Sequence, residues 1–176
     1  AENAHVVFDY HSKGDKLKEA AAGKAAIGTT GRGIGPCISD KVNRLGIRVA
    51  DLMNKDSLRS RLQAVLAIRN KEFKTLFDAE ATAVEDMVKK YYDLGQKIAP
   101  WVCDTSNLLY KCIKENKGII FEGAQGTILD VDHGTYPFVT SSNTVAGAAC
   151  AGTGIGPTAI DQVIGVVKAY TTRVGN

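Results

Sequence analysis

Gly118-Ile119-Ile120-Phe121-Glu122-Gly123-Ala124-Gln125-Gly126 is the stretch that decides the fold. Residues 118–121 form a short apolar run without alternation, and the run stops at a polar, glycine-rich segment. A strand covered on both faces reads this way, whereas a half-exposed strand alternates. The stretch therefore predicts a buried parallel strand whose carboxyl end opens into a loop, which is where open α/β sheets place their ligands.

Working outward, residues 104–116 predict a helix feeding that strand. Asp104, Thr105 or Ser106 can cap it, Leu108, Leu109, Cys112 and Ile113 give its apolar spacing, and Gly118 lies beyond its end. A second buried strand is expected at 163–169. Before these, residues 51–100 are helical in pattern, with Leu58, Leu62, Val65, Leu66, Phe73, Leu76 and Phe77, then Val84, Met87, Val88, Tyr91 and Ile98, at three- and four-residue steps. Two long amphipathic helices with a break within 70–77 fit best. Residues 4–10 suit a strand running into a loop at 11–15, and residues 16–22 a short helix. The expected division is 1–50 (strand and glycine-rich loop), 51–117 (helical subdomain) and 118–176 (strands and loops of an α/β sheet).

The chain has 176 residues, 44% of them hydrophobic, enough to bury a sizeable core. Its net charge of +3 comes from 22 basic and 19 acidic residues without a basic run, so neither nucleic acid nor a membrane surface is an expected partner. No apolar run approaches the ~20 residues of a membrane span, and residues 1–3 lack signal-peptide character, which gives a cytoplasmic expectation. Cys37, Cys103, Cys112 and Cys150 form no CxxC pair and read as reduced, mostly buried thiols. The first residues already read as structure, as they would in a piece of a larger protein.

Gly28-Thr29-Thr30-Gly31-Arg32-Gly33-Ile34-Gly35-Pro36 offers converging backbone N–H groups, hydroxyls and a guanidinium to an anion such as phosphate; a tight solvated turn is the alternative. Spacing removes two nucleotide motifs. A GxGxxG fingerprint needs glycine at 38, where Ile38 stands, and a Walker A loop fails because Ala25 follows Gly23-Lys24 and Lys18 holds the first glycine's place. Asp40, Lys41 and Arg44 fall in a short expected helix, with Lys41 and Arg44 on one face, either facing an anion or simply solvated. The hexamer GxGIGP at 31–36 recurs at 152–157, which suggests a shared turn geometry.

The run from Phe121 to Thr144 ends in Thr140-Ser141-Ser142-Asn143-Thr144, small hydrogen-bonding side chains at the end of the expected strand. Gln125 can hold a base or an oxyanion, and Thr140 can donate to a phosphate. Asp130, Asp132 and His133 are read as a loop-bracing group rather than metal ligands or an acid–base pair. His5 and His11 are expected in packed or solvent-facing roles, and Trp101 in the core.

Together, residues 28–36 with Asp40-Lys41-Val42 and Arg44, the run from Phe121 to Thr144, and Lys168-Ala169-Tyr170-Thr171-Thr172-Arg173-Val174-Gly175 resemble three ordered signatures of the adenylosuccinate synthetases. The resemblance implies the middle of an α/β protein, part of a P-loop-NTPase-like parallel sheet with a large mainly helical insertion. It implies a GTP-dependent, magnesium-requiring ligase that joins IMP and L-aspartate, working as a homodimer with a shared site. By motif match Thr30, Gln125, Thr140 and Val174 would contact IMP, Arg44 would reach the IMP phosphate of the neighbouring subunit, and Lys41 and Gln125 would serve catalysis. The main ligands of GTP and Mg2+, the catalytic aspartate and histidine, the aspartate-binding arginine loop and the guanine-recognition motif are expected outside these 176 residues, so the chain alone is expected to be inactive. A non-catalytic nucleotide-monophosphate-binding module is the alternative. One departure is Ile38, where the family usually has a tyrosine.

Overall fold

Helix formation begins earlier than the composition implies. In the computed structural model, which describes residues 1–170, the first helix, α1, spans Asp9–Ala22 and takes in the segment expected to be strand and loop. The cause is local: Phe8 sits at the N-cap, and the His11 Nδ1 accepts its backbone N–H at 2.9 Å, as the Glu or Gln of a capping box would. Only one antiparallel bridge, His5 with Arg48, remains of the expected strand. It is flanked by bonds from Val6 N–H to the Ile47 carbonyl (2.9 Å) and from Val49 N–H to the Ala4 carbonyl (2.9 Å).

A glycine-rich loop leads from α1 to α2, Ile34–Val42. The two long helices are α3, Lys55–Phe77, and α4, Val84–Ile98. Asn54 caps α3 by accepting the N–H groups of Asp56 and Ser57, both at 3.0 Å, and Asp78 closes it in the left-handed region at φ 48°. The break thus falls after Phe77, later than the residue spacing suggests.

Residues separate into two compact units, Ala1–Cys103 and Asp104–Asn176. In the first, Phe8, Tyr10 and Ile47 share one core with Leu52, Leu58, Leu62, Val65, Leu66, Phe73, Met87, Val88 and Tyr91. No boundary runs at residue 50 because the apolar stripes of α3 and α4 need a cover, and the N-terminal 50 residues supply it. Trp101, by contrast, is 78% exposed and takes no part in this core.

In the second unit, α5 spans Thr105–Lys114, with Asp104 at the N-cap accepting the Asn107 N–H at 3.0 Å, and α6 spans Ala148–Thr153. Residues 118–121 and 163–169 form no regular element and pair with no strand among the described residues. Ile120 is 93% exposed and Val166 92%. A strand is completed by its neighbours' hydrogen bonds, so an apolar run can carry the composition of a buried strand and still lack a ladder. Of the cysteines only Cys37 is buried; Cys103 is exposed and Cys112 and Cys150 are half-buried. The two GxGIGP hexamers agree at one point, with Gly33 at φ 82°, ψ 14° and Gly154 at φ 80°, ψ 9°. They then part, Gly33 opening a helix and Gly154 closing one.

Candidate functional site

The loop between α1 and α2 is built on two carboxylates one helical turn apart. Asp15 and Glu19 lie four residues apart on α1 and so share a face. Glu19 accepts the backbone N–H groups of Gly28 (2.9 Å) and Thr29 (3.2 Å), with a longer contact from Ile27 (3.4 Å). Asp15 accepts the Thr29 hydroxyl at 3.1 Å and the Gly33 N–H at 3.0 Å, and the Ser12 hydroxyl donates to the Arg32 carbonyl at 2.9 Å. The chain approaches α1 so closely at Gly33 that a Cβ there would stand 2.5 Å from the Ser12 nitrogen, and its φ of 82° already favours glycine. With its inner side tied down, the loop turns Thr30 and Arg32 outward, both exposed. The loop is therefore a braced platform rather than a loose turn.

α2 continues from this platform and is anchored by Asp40, which is fully buried. Its carboxylate accepts the Tyr10 hydroxyl at 3.2 Å and the His11 Nε2–H at 3.0 Å, and forms an ion pair with Arg69 of α3. Since the His11 Nδ1 accepts the Phe8 N–H, the ring proton sits on Nε2, facing Asp40. Burial works against ionising Asp40, but the bonds from His11 and Arg69 outweigh it and hold its carboxyl below the usual range. Burial, reinforced by Asp40, pushes the Tyr10 hydroxyl far above its ordinary value. The Asp40 carbonyl also accepts Leu45 N–H (2.8 Å) and Gly46 N–H (3.0 Å), which ends the helix.

Lys41 lies in the last turn of α2, but Arg44 lies beyond it with a left-handed backbone (φ 62°). The expected helical pairing of Lys41 with Arg44 is thus replaced by a corner. Both side chains are exposed there. Ile38 sits within α2, half-buried.

In the second unit, the loop of residues 126–145 is organised round Asp130, also fully buried. Its carboxylate accepts the N–H groups of Asp132 (2.9 Å), His133 (3.1 Å), Thr144 (2.5 Å) and Val145 (3.2 Å), and the Asn143 side-chain amide at 3.3 Å. Desolvation opposes its charge, yet the backbone donors, led by Thr144, prevail and keep the carboxyl well below the usual range. Asp130 is thus a brace, as its small polar neighbours suggested. Thr140 is tied in by its N–H to the Leu129 carbonyl at 2.8 Å, while Gln125 is exposed at the start of the loop. No group of three His, Cys, Asp or Glu among the described residues has the arrangement of a metal site.

The family model described as adenylosuccinate synthetase matches residues 1–176. The chain belongs to the adenylosuccinate synthetase family. Its similarity to the adenylosuccinate synthetase of Exiguobacterium sibiricum is 51% identity over 173 residues, covering 98% of this chain and 40% of that protein. To the adenylosuccinate synthetase of a Thermoanaerobacter strain it is 53% over 175 residues, 99% of this chain and 41% of the other. A solved structure, that of fully ligated adenylosuccinate synthetase from Plasmodium falciparum, superposes with a TM-score of 0.89 at 36% identity, covering 98% of this chain and 40% of that one. The fold class expected from the sequence, an α/β synthetase fold of P-loop-NTPase type with a large helical insertion, stands on these matches. The chain spans about two fifths of the length of these relatives, 40% and 41%. No helix among the described residues is long and apolar enough to cross a membrane.

Within this chain, Thr30, Lys41 and Arg44 lie in the first unit, and Gln125 and Thr140 in the second. Val174 lies outside the described residues. Reading from sequence missed Asp15, Glu19 and the anchoring role of Asp40. The i, i+4 carboxylates just before a glycine run were the available signal for the first two; nothing local marked Asp40 as buried.

Proposed function

We propose that this chain is the part of an adenylosuccinate synthetase that grips IMP, in an enzyme that uses GTP and Mg2+ to ligate IMP with L-aspartate. The observation that carries the reading is the braced loop of residues 28–36, which presents Thr30 and Arg32 outward from a support held by Asp15 and Glu19. A donor loop held rigid before its ligand arrives loses less entropy on binding, which suits a phosphate anchor. Thr30 and Thr140 donate to the 5′-phosphate, Val174 contacts the ribose, and Gln125 donates to the 6-oxygen of the base.

The chemistry is the one that the family resemblance implies. The 6-oxygen attacks the terminal phosphorus of GTP and GDP leaves; the aspartate amine then attacks C6 and phosphate departs with the 6-oxygen. Residues outside these 176 would hold magnesium with GTP, where it would supply positive charge to the transferring phosphate. Gln125 stabilises the oxygen as its bonding changes, an effect of oriented donors rather than proton transfer. Lys41 contributes positive charge beside the phosphates. Arg44, exposed at a corner, reaches the IMP of a second copy, so the homodimer completes the site; the enzyme works in the cytoplasm. The 176 residues alone turn over no IMP, and GTP-dependent adenylosuccinate formation by the purified chain would sink that statement.

Calorimetry with IMP tests the assignment. Thr30→Ala and Arg44→Leu in the full-length protein should each weaken IMP binding, Arg44→Leu by roughly 2 to 3 kcal/mol if it makes a charge-assisted bond. Unchanged IMP affinity in both variants would refute the site.

A further inference from the structure

The amide groups that make the glycine loop look like an anion site already hold an anion. Gly28 and Thr29 donate at 2.9 and 3.2 Å, and Ile27 at 3.4 Å, to the two oxygens of the half-buried Glu19 carboxylate. Three consecutive N–H groups converging on one oxyanion form a concave cradle whose chemistry does not distinguish carboxylate from phosphate oxygen. The next residue, Thr30, points outward and is exposed. A phosphate seated on Thr30 would bring negative charge next to Glu19 and would find the adjoining amides occupied. Asp15 differs, because it is buried and holds the Thr29 hydroxyl and Gly33 N–H on the inner side of the loop, where only support is needed.

We propose that Glu19 is an internal anion that occupies the amide cradle of residues 27–29 and competes with the phosphate of the incoming nucleotide. It thereby sets the preference for phosphorylated over unphosphorylated ligand. The inference rests on the nucleotide reading of the loop. Binding exchanges one oxyanion for another on the same donors, so the loop keeps its hydrogen bonds while the Glu19 side chain moves to solvent. Net affinity for the nucleotide is lower than the donor set alone would give, and release is correspondingly easier.

Glu19→Gln retains the shape and one acceptor oxygen but removes the charge. In calorimetry on the full-length protein it should bind IMP and inorganic phosphate roughly three- to tenfold more tightly, the scale of one partly exposed charged hydrogen bond. Inosine, which lacks the phosphate, should bind the two forms equally. Equal or weaker binding of IMP and phosphate by a normally folded Glu19→Gln protein would overturn the proposal and make Glu19 only a loop brace. Should that variant fail to fold, the unaltered protein decides. Saturating inorganic phosphate must shift the Gly28 and Thr29 amide resonances, and phosphate binding that leaves them in place overturns competition. If neither form binds IMP or inosine, the nucleotide reading falls, while the response to inorganic phosphate alone still judges the role of Glu19.

Discussion

Replacing Asp40 by Asn removes one charge at the point where α1, α2 and α3 meet, and its cost can be worked from the contacts. The carboxylate holds three donors, the Tyr10 hydroxyl, the His11 Nε2–H and the Arg69 guanidinium, and is fully buried. Removing one member of a buried ion pair costs about 3 to 5 kcal/mol because the remaining charge loses its partner without regaining water. Here Arg69 keeps Glu72 at 2.5 Å and its side chain is 15% exposed, so the lower end applies, about 3 kcal/mol. At roughly 4 to 8 °C per kcal/mol for a unit of this size, the melting temperature should fall by about 12 to 24 °C. Far-UV circular dichroism during heating and in urea reads this directly. Pairing the change with Arg69→Met isolates the ion pair: the double variant should recover at least about 1.5 kcal/mol relative to the sum of the singles. Because the folded Asp40 carboxyl titrates below its ordinary value of 3.8, its contribution is fully present above that pH. It is lost as the pH falls through the folded value, so the difference between Asn and Asp proteins should shrink in acid. A cost below about 1 kcal/mol at neutral pH, or strict additivity with Arg69→Met, would refute the network as the anchor of α2.

Gly33→Ala should destabilise the loop by about 1 to 3 kcal/mol and lower IMP affinity, since the new Cβ meets the α1 backbone and φ is 82°; wild-type melting and binding together would contradict the close approach. Asp130→Asn should speed hydrogen exchange at the Thr144 and Val145 amides, which bond to that carboxylate. As the Asp130 carboxyl is held below its ordinary 3.8, that protection should persist in the unaltered protein above this pH and fade as acid takes it through the folded value. Protection independent of pH down to the folded value's far side would exclude Asp130 as the brace.

Much of the helical architecture was legible because helix periodicity is a local property. Leu58, Leu62, Val65 and Leu66 mark one stripe of α3, and Asn54 and Asp104 are caps readable from residue type. The strands were legible only as composition. Ile119, Ile120 and Phe121 have the character of a covered strand, but a ladder needs a partner, and the described residues supply none. His11 was misplaced for a similar reason. Its ring acts on the backbone three residues back as an acid side chain usually does, so residue type pointed away from a helix start.

For the site, the sequence by itself determined the donors: a glycine-rich loop with Thr30 and Arg32, and a second loop of small polar residues about Asp130. These follow from glycine's backbone freedom and from side chains that can only donate or accept in set ways. Tertiary structure alone decided which carboxylates meet which amides. Asp15 and Glu19 brace the first loop, Arg44 turns a corner instead of sharing a helix face with Lys41, and Asp40 is buried between three helices. The physical reason is that a carboxylate's meaning depends on its neighbours in space. In water Asp40 would be one more solvated charge, and only the packing of α1 and α3 around it turns that charge into an anchor.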